Sequence, residues 1–485
     1  MTGPDKPADP PNVARSAARG GVWAVSAETS QRLAQTVVFF VLAGTVSTRE
    51  FGLVSVAFLT IQVVNSVTYA GWAAVVQALG PNRERDRTTI GLCLFGGFSG
   101  ALAMVLLAHP LCVALKAQGA EDYVRLVAIS LPLAQYNELA AALLDRDLRY
   151  RVSALAQILG SAVSLGVALV ALSLGAGGAA LILQAVAQQA IRFVVLTSAH
   201  PVASTPSFHR DSARQVWGIG RHLMGAAVLN TIFLNSDNAI VSAELGAVAL
   251  GGYAFVYNLC TLTYWLIGQS SNRVLGPIYA RVKTDVAEMA GLFVTAFRTI
   301  AVVSALPLGY LVVAGPAMID ILFQGKWNAF GLTLRLLAVF AWVRTLSLVG
   351  NPILVLTGRV VLQRRIQAAQ LLVMIPAVAV LTHLAGTQGA ASGVLIAAVV
   401  GAGYMFGVLR PAIALRWFQV SGPLLLGALC GAAAGGVGRL TLSFADDRLL
   451  SVISLPAAVV GWLVAWALLD RSSLRFLVRH LLPER

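Results

Sequence analysis

Apolar runs of about the length a helix needs to cross a bilayer recur from one end of the chain to the other, divided by short polar segments. They fall near residues 20–43, 51–79, 89–108, 122–144, 152–173, 178–197, 217–241, 250–272, 289–316, 331–357, 366–385, 388–409, 421–440 and 449–469. The pattern predicts an all-α polytopic membrane protein with about 14 transmembrane helices. Pro132, Pro307, Pro352, Pro376 and Pro456 interrupt several runs. Such kinks are tolerated in membranes because neighbouring helices satisfy the freed carbonyls.

Composition sharpens this reading. Of 485 residues, 58% are hydrophobic and 12% charged, where soluble domains carry about a quarter charged. The spans leave room only for tails and loops, which argues against soluble enzyme classes. The opening MTGPDKPADPPN is polar, Pro-rich and without an apolar core, so it reads as a short tail and not as a cleavable signal. Cys93, Cys112, Cys260 and Cys430 are scattered without CxxC spacing and read as small core residues.

The net charge of +14 is explained by topology. With the amino terminus in the cytoplasm, twenty-three Lys and Arg fall in inner segments; only Arg49, Lys116, Lys326, Arg439 and Arg448 fall in outer ones. This asymmetry follows the positive-inside rule, supports the helix count and sets aside a nucleic-acid partner. Both termini are expected on the cytoplasmic side of the membrane.

The longest mid-chain polar stretch, 198–216, divides six helices from eight. A weak echo relates EFGLVSVAF (50–58) to LGGYAFVYN (250–258), and LGPNRERD (79–86) to LGPIYARV (275–282). The expected organisation is a cytoplasmic tail at 1–19, an N-lobe at 20–197, a linker at 198–216, a C-lobe at 217–416, two further helices within 417–470 and a cytoplasmic tail at 471–485. Two six-helix lobes in parallel orientation around a central cavity are a transporter architecture.

Seven arginines lie inside or at the ends of the spans: Arg32, Arg125, Arg192, Arg221, Arg298, Arg335 and Arg344. Glu28, Glu138 and Asp237 join them. Ionisable groups in hydrocarbon are costly and generally face a cavity or a partner. Helical spacing adds polar stripes: Glu28, Arg32, Gln35 and Phe39; Gln62, Asn65 and Tyr69; Tyr257, Thr261 and Tyr264, with Asn258, Trp265 and Gln269 beside them. Two readings stay open for the amides and tyrosines, interhelical hydrogen bonding or a wet chamber. Glu28 and Arg32 have the spacing of a favourable intrahelical pair, so mutual neutralisation competes with a site role. Six isolated histidines, no HExxH and no Walker loop give no catalytic set and no metal or cofactor site. The arginines of DRDLRYR (145–151) mark it as a topological anchor before an acid pair.

Three phrases resemble a known family. LAGTVSTREFGLVSVA (42–57), LNSDNAIVSAELGAVALGGYAFVYNL (234–259) and ILFQGKWNAFGLTLRLLA (321–338) are similar to polysaccharide transporters of the multidrug, oligosaccharidyl-lipid and polysaccharide exporter superfamily. Gln324-Gly325 departs from the pattern, where Gly more often follows Phe directly. The resemblance implies a flippase that moves a lipid-linked oligosaccharide to the outer leaflet by alternating access, for cell-surface polysaccharide biosynthesis.

Such a substrate carries an anionic diphosphate, a glycan and an apolar tail. Guanidinium forks suit phosphate, so Arg32, Arg298 and Arg344 are the diphosphate candidates. Gln35, Gln62, Asn65, Tyr69, Tyr257, Asn258, Tyr264 and Gln269 are the glycan candidates. Glu28, Glu138 and Asp237 are candidate coupling or pairing acids. The expected partners are the lipid-linked oligosaccharide, membrane lipids, and a polysaccharide polymerase or glycosyltransferases around a monomeric transporter. The rivals are a lipid II flippase, a multidrug or cation antiporter of the same superfamily, and an integral-membrane glycosyltransferase.

Overall fold

The computed structural model describes residues 10–69, 71–199, 206–282, 285–444 and 448–470, and among them every regular element is helical. The order is α1 (Pro10–Thr45), α2 (Thr48–Thr68), α3 (Trp72–Leu79), α4 (Arg83–Ala114), α5 (Glu121–Ala128), α6 (Ser130–Arg146), α7 (Tyr150–Ser173), α8 (Ala179–Ala199) and α9 (Arg210–Leu245). It continues with α10 (Ala247–Thr263), a π-helical turn (Tyr264–Gln269), α11 (Ser270–Arg281), α12 (Val286–Val313) and α13 (Gly315–Phe323). The last elements are α14 (Gly331–Ser347), α15 (Asn351–Leu356), α16 (Val360–Ala412), α17 (Phe418–Ser443) and α18 (Arg448–Leu469).

All fourteen predicted apolar runs fall on these helices. Nine stretches among the described residues are long and apolar enough to span a membrane, with Ile453–Leu469 as a shorter apolar helix. The chain is a multi-pass membrane protein. The runs 366–385 and 388–409 are the two arms of α16, which breaks at Ala385 and Gly386; Gly386 takes φ 60°, a left-handed backbone that glycine adopts without steric cost. Helix ends extend the expected bounds. α1 starts at Pro10, within the expected tail 1–19, and α9 starts at Arg210, within the expected linker 198–216. Residues 1–9, 200–205 and 471–485 of the expected tails and linker lie outside the described residues.

The chain divides into two compact units, Met1–Gly251 and Gly252–Arg485. In the first, α7 packs on α1 and α8, α4 on α5 and α6, and α9 on α2 and α4. α9, expected to open the second lobe, thus belongs to the first unit. Trp72, Val76, Ile90, Cys93, Tyr136, Leu139 and Leu143 form a buried core there. At the arginine-rich end of α6, Arg146 donates from both terminal nitrogens to Asp86, at 3.0 and 2.8 Å. Arg146 of the DRDLRYR segment is therefore a half-buried, bidentate brace from α6 onto the buried Asp86 of α4, within an otherwise charged and largely exposed loop.

In the second unit, α12 packs on α17, α17 on α18, and α14 on α12 and α16. The α12–α17 crossing is made by small residues. A Cβ on Gly309 would sit 2.4 Å from the Gly431 Cα, and one on Gly431 would sit 2.9 Å from the Ala305 carbonyl oxygen. Lipid tails are as apolar as side chains, so close backbone approach supplies the packing energy that hydrophobicity cannot. α18 is tied to the same helix. Trp462 Nε1 donates to the Val302 carbonyl at 2.9 Å, and the Tyr310 and Ser454 hydroxyls pair at 2.6 Å. The last two helices are thus built into the second unit. All four cysteines are free and buried.

Candidate functional site

Backbone irregularity points to the site. The regular helix of α10 ends at Thr263 and continues as the π turn Tyr264–Gln269, while α14 ends at Ser347 in the 3-10 turn Leu348–Gly350. The π turn packs against both α14 and that 3-10 turn. π bulges concentrate at functional sites, and irregular backbone at membrane depth is tolerated where it is buried in protein or lines a cavity.

Arg344, three residues before the end of α14, reaches into this region. Its Nη1 donates to the Tyr257 hydroxyl at 3.2 Å. Its guanidinium lies over the Tyr264 ring at 4.2 Å and near the Phe340 ring at 5.8 Å. Tyr257 in turn neighbours Phe340 and stacks on Tyr253. Among the described residues no carboxylate lies within ion-pairing distance of Arg344. The positive charge is held by ring faces and a phenol hydroxyl, a mode of attraction that leaves the net charge uncancelled. Two of the predicted glycan tyrosines and one predicted diphosphate arginine therefore come together. Asn258 is exposed and donates to the Ala254 carbonyl one turn back. The Gln269 side chain lies outside the described residues.

Arg298 has a different environment. On α12 it pairs with Asp470, just beyond α18, and Asp470 is only 5% exposed. The pair joins α12 to the end of the chain's last described helix. Its partner is thus none of the three acids singled out from the sequence. Arg335 and Arg221 are exposed.

In the first unit, Glu28, Arg32, Gln35 and Phe39 are all half-buried on α1. Neither Glu28 nor Arg32 is without a partner. Gln62 is exposed, and Asn65 accepts from Gln135 Nε2 at 3.1 Å. The Tyr69 hydroxyl accepts the Ala73 backbone N–H at 3.2 Å, bridging the break between α2 and α3. Asp237 is buried beside Asn238, whose Nδ2 lies 3.4 Å from its carboxylate. Glu138 is the sole exposed position of α6 between Leu131 and Asp145. Its Oε1 accepts from both terminal nitrogens of the buried Arg192 at 3.3 Å.

The amide set of this unit is larger than the sequence stripes indicated. Asn137 Nδ2 donates to the Gln189 carbonyl and Oε1, both at 2.9 Å, and Gln135 Nε2 also reaches Thr68. Gln157 bonds Gln31, and Gln184 Nε2 donates to the Ala34 carbonyl. A readable signal for part of this existed: Gln184, Gln188 and Arg192 step by four along α8 and are all buried. Asp470 gave none, because its partner lies far away in the chain.

The helices thus gather a guanidinium, two tyrosines and a phenylalanine beside an irregular stretch of an apolar bundle. Residues 41–331 match the polysaccharide biosynthesis protein family, and the chain belongs to it. It is 25% identical over 340 residues to the succinoglycan biosynthesis transport protein ExoT of Rhizobium meliloti (strain 1021), covering 68% of this chain and 67% of that one. It is 22% identical over 368 residues to the lipopolysaccharide biosynthesis protein WzxC of Escherichia coli (strain K12), covering 74% of each. Among solved structures, the lipid II flippase MurJ in an inward closed conformation superposes with TM-score 0.73 at 12% identity, covering 93% of this chain and 99% of that one. An inward-facing multidrug resistance transporter of the MATE family superposes with TM-score 0.64 at 14% identity, covering 80% and 94%. These likenesses fix the fold class.

Proposed function

We propose that this protein translocates a polyprenyl-diphosphate-linked oligosaccharide from the inner to the outer leaflet of a bacterial plasma membrane, by alternating access, for cell-surface polysaccharide assembly. The observation that carries the reading is Arg344 held by Tyr257 and Tyr264 without a carboxylate. A guanidinium so placed presents remaining N–H donors to phosphate oxygens as parallel, charge-assisted bonds. The two tyrosines offer ring faces and hydroxyls beside it, as a sugar next to a diphosphate requires. Arg32 is the candidate second cation, on the first unit. Arg298, joined to Asp470, anchors α18 in this reading. Glu138 is the most accessible of the candidate coupling acids.

A polysaccharide biosynthesis transport protein and a lipopolysaccharide biosynthesis protein among the relatives support a glycan cargo. The lipid II flippase alternative shares the diphosphate and the fold, and differs in glycan. A cation antiporter would have to seat positive solutes beside an uncancelled arginine, which Coulomb repulsion opposes. A polymerase or glycosyltransferases would act beside a monomeric transporter whose termini are cytoplasmic.

Proteoliposomes loaded with fluorescent polyprenyl-diphosphate sugar, its monophosphate analogue and a lipophilic cation test this directly. Movement of the diphosphate species, weaker movement of the monophosphate and none of the cation are expected. Preferential transport of the cation would overturn the proposal.

A further inference from the structure

The arginine-rich end of the second unit carries a second cationic surface, separate from Arg344. Ala414 adopts φ 52°, and the tight turn it forms is closed by the Leu415 N–H donating to the Arg410 carbonyl at 3.0 Å. Beyond the turn, the Arg416 N–H donates to Gln419 Oε1 at 2.8 Å. The result places two guanidinium groups over two neighbouring rings: Arg410 over Trp417 at 5.3 Å and Arg416 over Phe418 at 6.0 Å. Trp417 is 59% and Phe418 64% exposed. Ile366, Leu409, Ile413, Leu415 and Val420 share one buried cluster. That packing brings Arg364 and Arg365, on the other arm of α16, to the same end, where both are exposed.

Among the described residues, none of these four arginines makes an ion pair. The carboxylates known at this end are otherwise placed. Asp285 caps α12 by accepting from the Ala287 and Glu288 N–H groups, Glu288 is exposed in the first turn of α12, and Asp470 pairs with Arg298. Four arginines would satisfy the positive-inside rule from any loop. The rule does not require two of them to be held over exposed rings by a left-handed turn. Amphipathic aromatic rings at the ends of membrane helices favour the headgroup boundary, where a guanidinium above the ring can donate to phosphate oxygens.

We infer that Arg410, Arg416, Arg364 and Arg365, with Trp417 and Phe418, form a docking site for the phosphate headgroup of an anionic phospholipid of the cytoplasmic leaflet. Occupancy would tether α16 to α17 at the bilayer surface. The inference does not depend on which solute Arg344 binds.

The test uses native mass spectrometry and thermal melting of the purified full chain with phosphatidylglycerol, phosphatidylcholine, or inorganic phosphate added. Each surface arginine contributes about fivefold to the affinity for an anionic surface. Arg410→Gln/Arg416→Gln is therefore expected to weaken phosphatidylglycerol retention by about thirtyfold. Arg210→Gln/Arg214→Gln removes the same charge from α9 and is expected to retain the lipid. Equal retention by the wild type and the Arg410/Arg416 variant would overturn the site, as would equal loss in the α9 control. A melting shift reproduced by inorganic phosphate alone would overturn the lipid assignment. Should the variant not fold, raised salt on the wild type serves instead: loss of phosphatidylglycerol but not phosphatidylcholine adducts is expected, and salt-independent retention refutes the site.

Discussion

Replacing Arg344 by Met should separate function from stability. The guanidinium gains a cation–π contact with Tyr264 at 4.2 Å of about 2 kcal/mol and a hydrogen bond to Tyr257 at 3.2 Å of about 1 kcal/mol. Against these stands a desolvation cost of comparable size for a half-buried ion that no carboxylate among the described residues compensates. The apo protein should accordingly lose little or nothing in the variant, with Tm falling by less than about 5 °C. Transport should behave otherwise. Charge-assisted bonds to phosphate are worth about 1.5–3 kcal/mol, so apparent affinity for a polyprenyl-diphosphate sugar should fall by roughly 10- to 150-fold. Arg344→Lys keeps the charge but not the planar fork and should fall between. The assay is initial flipping rate against substrate density in proteoliposomes, with melting followed in the same detergent. Full transport by the Met variant refutes the site. A large Tm loss with proportionate transport loss shows that Arg344 is a structural residue only.

The opposite balance is expected at Arg298. Arg298→Ala removes one charged partner of the buried Asp470 and should destabilise by about 1–3 kcal/mol, measured by denaturant or thermal melting, while Arg298→Ala/Asp470→Ala should recover most of it; no recovery would mean that the pair is not the source. Gly309→Val places its first carbon against the Gly431 backbone and should cost about 1–3 kcal/mol through overpacking, with α17 protease-sensitive as the readout; an unchanged melt contradicts the close crossing. Glu138→Ala removes the acceptor of the buried Arg192 and should lower Tm more than Glu138→Gln, which keeps a neutral acceptor; equal melts would show that Arg192 does not depend on Glu138.

How much was readable from the chain differs between fold and site. The spans were legible because a bilayer imposes one length and one composition on every crossing helix, and each run from 20–43 to 449–469 landed on a helix. The two arms of α16 were separable from the polar dip at His383 to Gln388, where Ala385 and Gly386 leave helical geometry and the second arm folds back on the first. Arg344, Tyr257 and Tyr264 were legible one by one, as polar residues where hydrocarbon should be.

Which of those residues meet was decided by tertiary structure. The sequence alone determined the apolar runs, the helical fold class and the family, because these follow from the solvent and from local phrases. Arg298 and Arg344 look alike in one dimension, yet among the described residues one meets the buried carboxylate of Asp470 and the other meets rings and a hydroxyl. Partner choice in a low-dielectric interior depends on a few ångströms of approach, since Coulomb energy and desolvation both change steeply there. Helical periodicity names the face a side chain occupies; only the packing of α10, α14 and α18 says what lies opposite.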